Sequence, residues 1–265
     1  MPNIQTQFEE LRIRIEERNE PDMPVDGFER LCVSKTNDFF HIDFYGNPFE
    51  ESYEELLSLI SVPTVAGTIL SITFRGPDEG ANGTRNWNLR PLIESDAQFS
   101  NLESFAIQLT KAGDHNRTIV AADYDEDGVI SKLVAKSPCL RELTVPSAPS
   151  TAFFESVGDQ LRFLSVDAGY DHQQFVRNLA SSQSFPNLRC LEWGEYNETY
   201  MDDFKEHCTP SDDYRLLFSS TAFQLVARFV WRNPALNDDE IRELRKLSRP
   251  DLQLLVIRTR SEYLK

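Results

Sequence analysis

Hydrophobic residues recur along this chain in one short pattern: Leu, two variable residues, an apolar residue, one variable residue, then an apolar residue. Five segments carry it in full, at Leu102, Phe105 and Ile107; Leu140, Leu143 and Val145; Leu161, Leu164 and Val166; Leu188, Leu191 and Trp193; and Leu252, Leu255 and Ile257. A turn-type residue or a proline precedes each, as in Asn101, Pro138, Asp159, Pro186 and Pro250. Three further segments share only the apolar spacing: Phe39, Ile42 and Phe44 followed by Asn47; Ile69, Ile72 and Phe74; and Val226, Phe229 and Trp231 followed by Asn233. Spacing alone recurs by chance in so apolar a chain; the shared Leu and lead-in set the five apart. The alternation within each segment predicts a short strand with one apolar face. Between the strands, helices are predicted over 50–60, 128–136, 172–181, 212–219 and 238–246. In the last, Ile241, Leu244 and Leu247 form one apolar face, and Asn237 or Asp238 is placed to cap it. A charged helix is predicted over 5–19.

On these segments the chain resembles the leucine-rich-repeat family, and within it the α/β horseshoe proteins similar to ribonuclease inhibitor. The likeness spans about residues 39 to 258. It implies an α/β fold, a right-handed solenoid with a parallel sheet on the concave face and helices on the convex face. Residues 39–265 would form one irregular solenoid domain. Residues 1–38 would form an N-terminal helix and capping segment, covering core and strand edge that an open solenoid end exposes. First positions at 39, 69, 102, 140, 161, 188, 226 and 252 lie 30, 33, 38, 21, 27, 38 and 26 residues apart. The family's repeat is about 20–29 residues, so several repeats carry insertions. Most copies lack the ladder Asn, which predicts uneven curvature.

Because side chains alternate along a strand, the apolar fourth and sixth positions point into the solenoid, and the third, fifth and seventh point onto the concave sheet. The predicted rows are His41, Asp43, Tyr45; Ser71, Thr73, Arg75; Ser104, Ala106, Gln108; Glu142, Thr144, Pro146; Phe163, Ser165, Asp167; Cys190, Glu192, Gly194; Arg228, Val230, Arg232; and Leu254, Val256, Arg258. The middle of this surface is acidic through Glu142, Asp167 and Glu192, and its C-terminal end is basic through Arg228, Arg232 and Arg258. Phe163 between acids is the candidate apolar anchor. Asp43, Tyr45 and, on a rim loop, Tyr170 complete the candidate partner-binding set. A second rim loop, Gly194-Glu195-Tyr196-Asn197, carries another Tyr in an acidic turn.

Composition narrows the function. The formal net charge is −16, a sign that repels phosphate backbones and anionic bilayers and so argues against nucleic-acid and membrane partners. No apolar run reaches membrane-spanning length and no secretory pattern opens the chain. The four cysteines show no metal-binding spacing, and three stand beside apolar residues, as buried free thiols in a cytoplasmic protein would. No metal-binding His-Glu-x-x-His, nucleophile elbow or phosphate loop occurs. Asp171 and His172 form half of an acid–base pair without a nucleophile.

Asp123, Asp125 and Asp127, followed by Gly128 and Ile130, match the first half of a calcium-binding EF-hand loop. Position twelve, where that loop has a bidentate Glu, is Val134. The alternative is an acidic loop that caps the next helix through Asp127.

The reading that follows is a non-enzymatic module. It binds a protein partner on the concave face or adjacent rim loops and needs no cofactor. The alternative is a calcium-dependent or enzymatic protein using the Asp123–Asp127 loop, and a third reading is a structural repeat within a larger assembly.

Overall fold

Strands form wherever the alternating segments occur, and helices return the chain between most of them. The computed structural model describes residues 3–20, 27–78, 80, 83–111, 113–121, 126–155, 159–195 and 207–259. In chain order these form α1 (Ile4–Arg18), β1 (Arg30–Thr36), β2 (Phe39–Tyr45), α2 (Glu51–Ile60), α3 (Pro63–Ala66), β3 (Ile69–Arg75), β4 (Gly83–Trp87), α4 (Arg90–Glu94), β5 (Ser104–Ile107), β6 (Asn116–Val120), α5 (Val129–Ala135), β7 (Glu142–Val145), α6 (Thr151–Glu155), β8 (Phe163–Asp167), α7 (Phe175–Ser181), β9 (Cys190–Gly194), α8 (Ser211–Ser219), β10 (Arg228–Arg232), α9 (Asp238–Leu247) and β11 (Gln253–Ile257). The fold is mixed α/β. Nine of the strands make one sheet in the order β1-β2-β3-β5-β7-β8-β9-β10-β11. Every pairing in it is parallel except that of β1 with β2. The strands thus lie side by side in chain order, from β1 at one edge to β11 at the other.

One core joins this sheet to the helices. It takes Ile42, Phe44, Ile72, Phe74, Phe105, Leu143, Leu164, Leu191, Trp193, Phe229 and Trp231 from the strands, and Leu56, Leu133, Leu179, Leu217 and Leu244 from the helices. Bulky rings fill the space between layers. Phe175 stacks on Trp193 at 4.7 Å, and Tyr214 lies 4.2 Å from Trp231. Buried aromatic pairs of this kind add about 0.5–1.5 kcal/mol each beyond the area they remove from water.

The N-terminal segment packs helix α1 against the β1 end and contains more than a helix. Phe8, Leu11 and Ile15 of α1 are buried, and Phe8 packs 5.3 Å from Phe40. Arg14 and Arg18 both reach Glu55 on α2. Strand β1 was not expected. It folds back on β2 through a tight turn at Asn37 and Asp38, with Asn37 at φ 56°, a conformation Asn tolerates well.

The long sequence steps acquire a structural meaning. The two insertions between first positions 69 and 140 supply β4 and β6, which pair in parallel as a second, two-stranded sheet. Arg85 fastens the insert: its guanidinium donates to Thr118 Oγ1 at 2.9 Å, to the Gly76 carbonyl at 2.9 Å and to the Pro77 carbonyl, and it pairs with Asp114.

Two expectations are corrected. The first concerns register at β11: Gln253, Leu255 and Ile257 align with Arg228, Val230 and Arg232, while Leu254 and Val256 pack on the core. The expected row Leu254, Val256, Arg258 is therefore displaced by one residue, which turns every side chain to the opposite face. The run Leu252–Ile257 is apolar at consecutive positions, so its spacing fits either register. Contact with the helix layer selects the one that buries Leu254 and Val256. Arg258 lies off the sheet's open face and binds Asp238 at 3.0 Å and the Leu236 carbonyl at 2.8 Å. The second concerns the thiols. All four cysteines are free, but only Cys208 is buried; Cys190 is half-buried, and Cys32 and Cys139 are exposed.

Candidate functional site

The sheet face turned away from the helices carries the predicted rows in register from β2 to β10. Across β7, β8, β9 and β10, Glu142, Phe163, Cys190 and Arg228 stand side by side. Glu142 and Arg228 are exposed, and Phe163 and Cys190 are half-buried. Burial raises the Cys190 thiol above its ordinary pKa, as does the nearby Glu192 carboxylate. Among the described residues, neither Glu142 nor Arg228 spends its side chain on a hydrogen bond or an ion pair.

Further along the same strands the charges are used internally. Arg232 pairs with Asp167 at 2.9 Å and donates to Ser165 Oγ at 3.4 Å, and Ser165 in turn donates to Glu192 at 3.2 Å. The Asp167–Arg232 pair crosses over Gly194, the residue between them in register. A Cβ there would overlap Asp167 Oδ1 and come 3.4 Å from Arg232 Cζ. Gly194 is thus the space the ion pair occupies. Burial raises the Asp167 carboxyl above its usual value, against the pull of Arg232 and Arg117.

The two-stranded sheet reaches this end of the face. Tyr170 bonds Thr84 at 2.5 Å, and the Arg117 guanidinium lies 5.6 Å from the Tyr170 ring. Tyr170 remains 37% exposed. At the other end, Asp43 pairs with Arg75 at 2.6 Å, and Arg30 from the unexpected β1 lies over the Tyr45 ring at 4.5 Å.

The structure therefore brings Glu142, Phe163, Glu192, Arg228 and the Asp167–Arg232 pair together. It leaves Asp43 and Tyr45 at the far end and removes Arg258. The pattern placed Ser165 and Gly194 on this face but gave them no role, since that role depends on which strands are neighbours, and it left out an exposed arginine row, Arg141, Arg162 and Arg189, just before β7, β8 and β9. The recurrence of Leu-Arg at 140–141, 161–162 and 188–189 is the signal that could have pointed to the arginines.

Beside β9 and β10 a buried polar knot anchors the chain near Thr209. Glu195 accepts from Trp193 Nε1 at 3.1 Å, from Thr209 N at 3.3 Å and from the Tyr214 hydroxyl. Trp231 Nε1 donates to the same Tyr214 oxygen at 2.9 Å. Burial raises Glu195 above the usual carboxylate range and pushes the neighbouring Cys208 thiol up to about 12. An open cleft of about 640 Å³ lies next to it, lined among others by His172, Arg177, Cys208 and Asp213. Asp213 is held by Arg177 at 2.7 Å, and burial lowers His172. Asp171 and His172 each accept a backbone N–H two residues on, from Gln173 at 2.6 Å and Gln174 at 3.2 Å, so both serve the turn.

Asp123 and Asp125 lie outside the described residues, as does the Tyr196–Asn197 part of the second rim loop. Asp127 is exposed at φ 41°. The carboxylate that caps α5 belongs to Glu126 rather than Asp127: it accepts from Gly128 N at 2.9 Å, Ile130 N at 2.8 Å and Ser150 N at 2.9 Å. Among the described residues no three His, Cys, Asp or Glu side chains cluster as metal ligands. No helix among them is long and apolar enough to cross a membrane. Compared with models of protein families and with curated proteins, the chain matches no family and no individual protein.

Proposed function

We propose that this chain is a leucine-rich-repeat-type solenoid of the cytoplasm that binds a protein partner through the open, concave face of its sheet, without catalysis and without a cofactor. The strands' chain-order arrangement and the alternation of strand and helix support the repeat reading. The four free thiols support a reducing compartment. The observation that carries the binding reading is the row Glu142, Phe163, Cys190, Arg228. It offers an acid, an aromatic and a base over a span of about 14 Å, given strands roughly 4.8 Å apart, and its charges are not satisfied internally among the described residues. Aromatic and Arg side chains are the favoured anchors of protein interfaces. The Asp167–Arg232 pair gives this row a rigid border rather than contacts of its own.

Affinity capture from the native lysate tests this. Phe163→Ala combined with Glu142→Arg removes the anchor and inverts one charge at exposed or half-buried positions. A protein captured by the wild type and lost by this variant, with unchanged thermal melting, supports the reading. Capture that survives the variant removes this face from consideration.

A further inference from the structure

The sheet sets three arginines in one line at the end where its strands begin. Arg162 N donates to the Arg141 carbonyl at 2.8 Å, Arg189 N to the Arg162 carbonyl at 2.9 Å, and Ala227 N to the Arg189 carbonyl at 2.8 Å. The three residues therefore sit next to one another on neighbouring segments, each just before its strand, about 4.8 Å apart, and all three are exposed. Like charges on such neighbours repel. Among the described residues, an acid answers this repulsion only at the Arg141 end, where Glu103 on the neighbouring segment approaches to 3.3 Å. Arg189 turns its guanidinium to the carbonyls of Pro186 and Leu188, at 3.4 and 3.2 Å. The Arg162 guanidinium, in the middle, makes no hydrogen bond or ion pair among the described residues.

This local concentration of positive charge stands on a chain of net charge −16. At physiological salt the Debye length is about 8 Å, so a ligand in contact with the row feels the arginines more than the distant acids. A long polyanion such as nucleic acid would extend over acidic surface on either side, where the same screening no longer shields it from nearby carboxylates. A short acidic stretch fits within the row. In an extended peptide, same-side residues repeat at about 6.6–6.8 Å, so two carboxylates fit within the roughly 10 Å from Arg141 to Arg189. The planar guanidinium fork suits a carboxylate bidentately.

We propose that this arginine row is the docking site for a short acidic segment of the protein partner, laid across the starts of β7, β8 and β9. The inference rests on the protein-binding reading above and adds the chemistry of the partner.

The test is fluorescence anisotropy with a fluorescein-labelled peptide of alternating glutamate and serine, against the same peptide with glutamine in place of glutamate. The expected result is salt-sensitive binding of the glutamate peptide alone, weakened roughly fivefold to tenfold by Arg162→Gln with Arg189→Gln. Equal binding of the two peptides, or no loss in the double variant, overturns the proposal. So does a single-stranded RNA oligonucleotide that displaces the peptide at equal concentration, because it would make the row a general anion surface. Phe163→Ala separates the two readings. If it abolishes partner capture while the arginine variant leaves peptide binding intact, the face reading stands and the row falls; the reverse pattern keeps the row and removes the face.

Discussion

At the residue scale, several positions act by what they leave room for or hold without water. Gly194→Ala places a methyl group where the Asp167 carboxylate sits. Relief requires the ion pair with Arg232 to move, and overpacking of this kind costs about 1–3 kcal/mol. The expected outcome is a lower urea midpoint that is largely restored when Asp167→Ser is added; an unchanged midpoint in the single variant would show that the pair is free to shift. Glu195 makes a pH prediction. Its buried carboxyl is raised, so between the ordinary glutamate value of about 4.3 and its native value the folded protein holds a proton that the unfolded chain has released. Its stabilising contribution is complete below that window and is lost as pH rises through it, at up to about 1.4 kcal/mol per pH unit. Asp167 is raised by burial too and acts in the same direction. Glu195→Gln removes this slope, so the stability of wild type relative to variant should decline from pH 5 to pH 8 in urea unfolding. Parallel profiles would contradict it.

Elements carry the next set of effects. Helix α9 begins with a reciprocal capping box: Asn237 accepts from Asp239 and Glu240 N–H groups at 3.0 Å, and Glu240 reaches back to Asn237 N at 2.9 Å. Asn237→Ala should cost about 1 kcal/mol, read as a fall in the urea midpoint. Strand β11 offers a sharper test. If its register is the one described, Val256→Ala removes a contact with the core and lowers stability by about 1 kcal/mol, while Ile257→Ser stays within about 0.5 kcal/mol. The register read from spacing alone reverses that order. This strand also shows where the pattern stops being informative. An alternating segment such as Phe39–Tyr45, where apolar Phe40, Ile42 and Phe44 are buried and His41 and Asp43 are not, states its own facing. A segment apolar at every position does not, because either face satisfies the local rule. Strand β1 was missed because its buried apolar contribution from Leu31 is small and its partner, not its composition, makes it a strand.

For the whole molecule, the two edges of the sheet differ. The β1 edge is covered by α1, whose Phe8, Leu11 and Ile15 are removed from water. Each such side chain contributes about 1.5–3 kcal/mol, so together they approach the entire margin of about 5–15 kcal/mol that holds a domain folded. A chain starting at residue 39 should therefore lose cooperative thermal unfolding and aggregate in size-exclusion chromatography; a monomer with a sharp melting transition would refute this. The β11 edge carries Leu255 and a 42% exposed Ile257 on the open face, and Leu247 on α9 is 47% exposed. The acidic balance of the chain opposes association there by general repulsion.

The sequence by itself determined the eight parallel strand positions, six of the helices including the N-terminal one, and the facing of the large sheet's strands from β2 to β10, because a two-residue period against a buried layer is a local property that each segment expresses alone. It also carried the arginines now placed in one row, although only as a recurring dipeptide. The tertiary structure decided the rest: the second sheet made by joining two distant insertions, the register of β11, the departure of Arg258 from the face, and the choice of Glu126 as the helix cap. It alone decided that Asp167 and Arg232, 65 residues apart, neutralise each other across Gly194, while Glu142 and Arg228 make no ion pair among the described residues. Each of these depends on which segments become neighbours, and that is settled by burying the shared core rather than by any one segment's pattern.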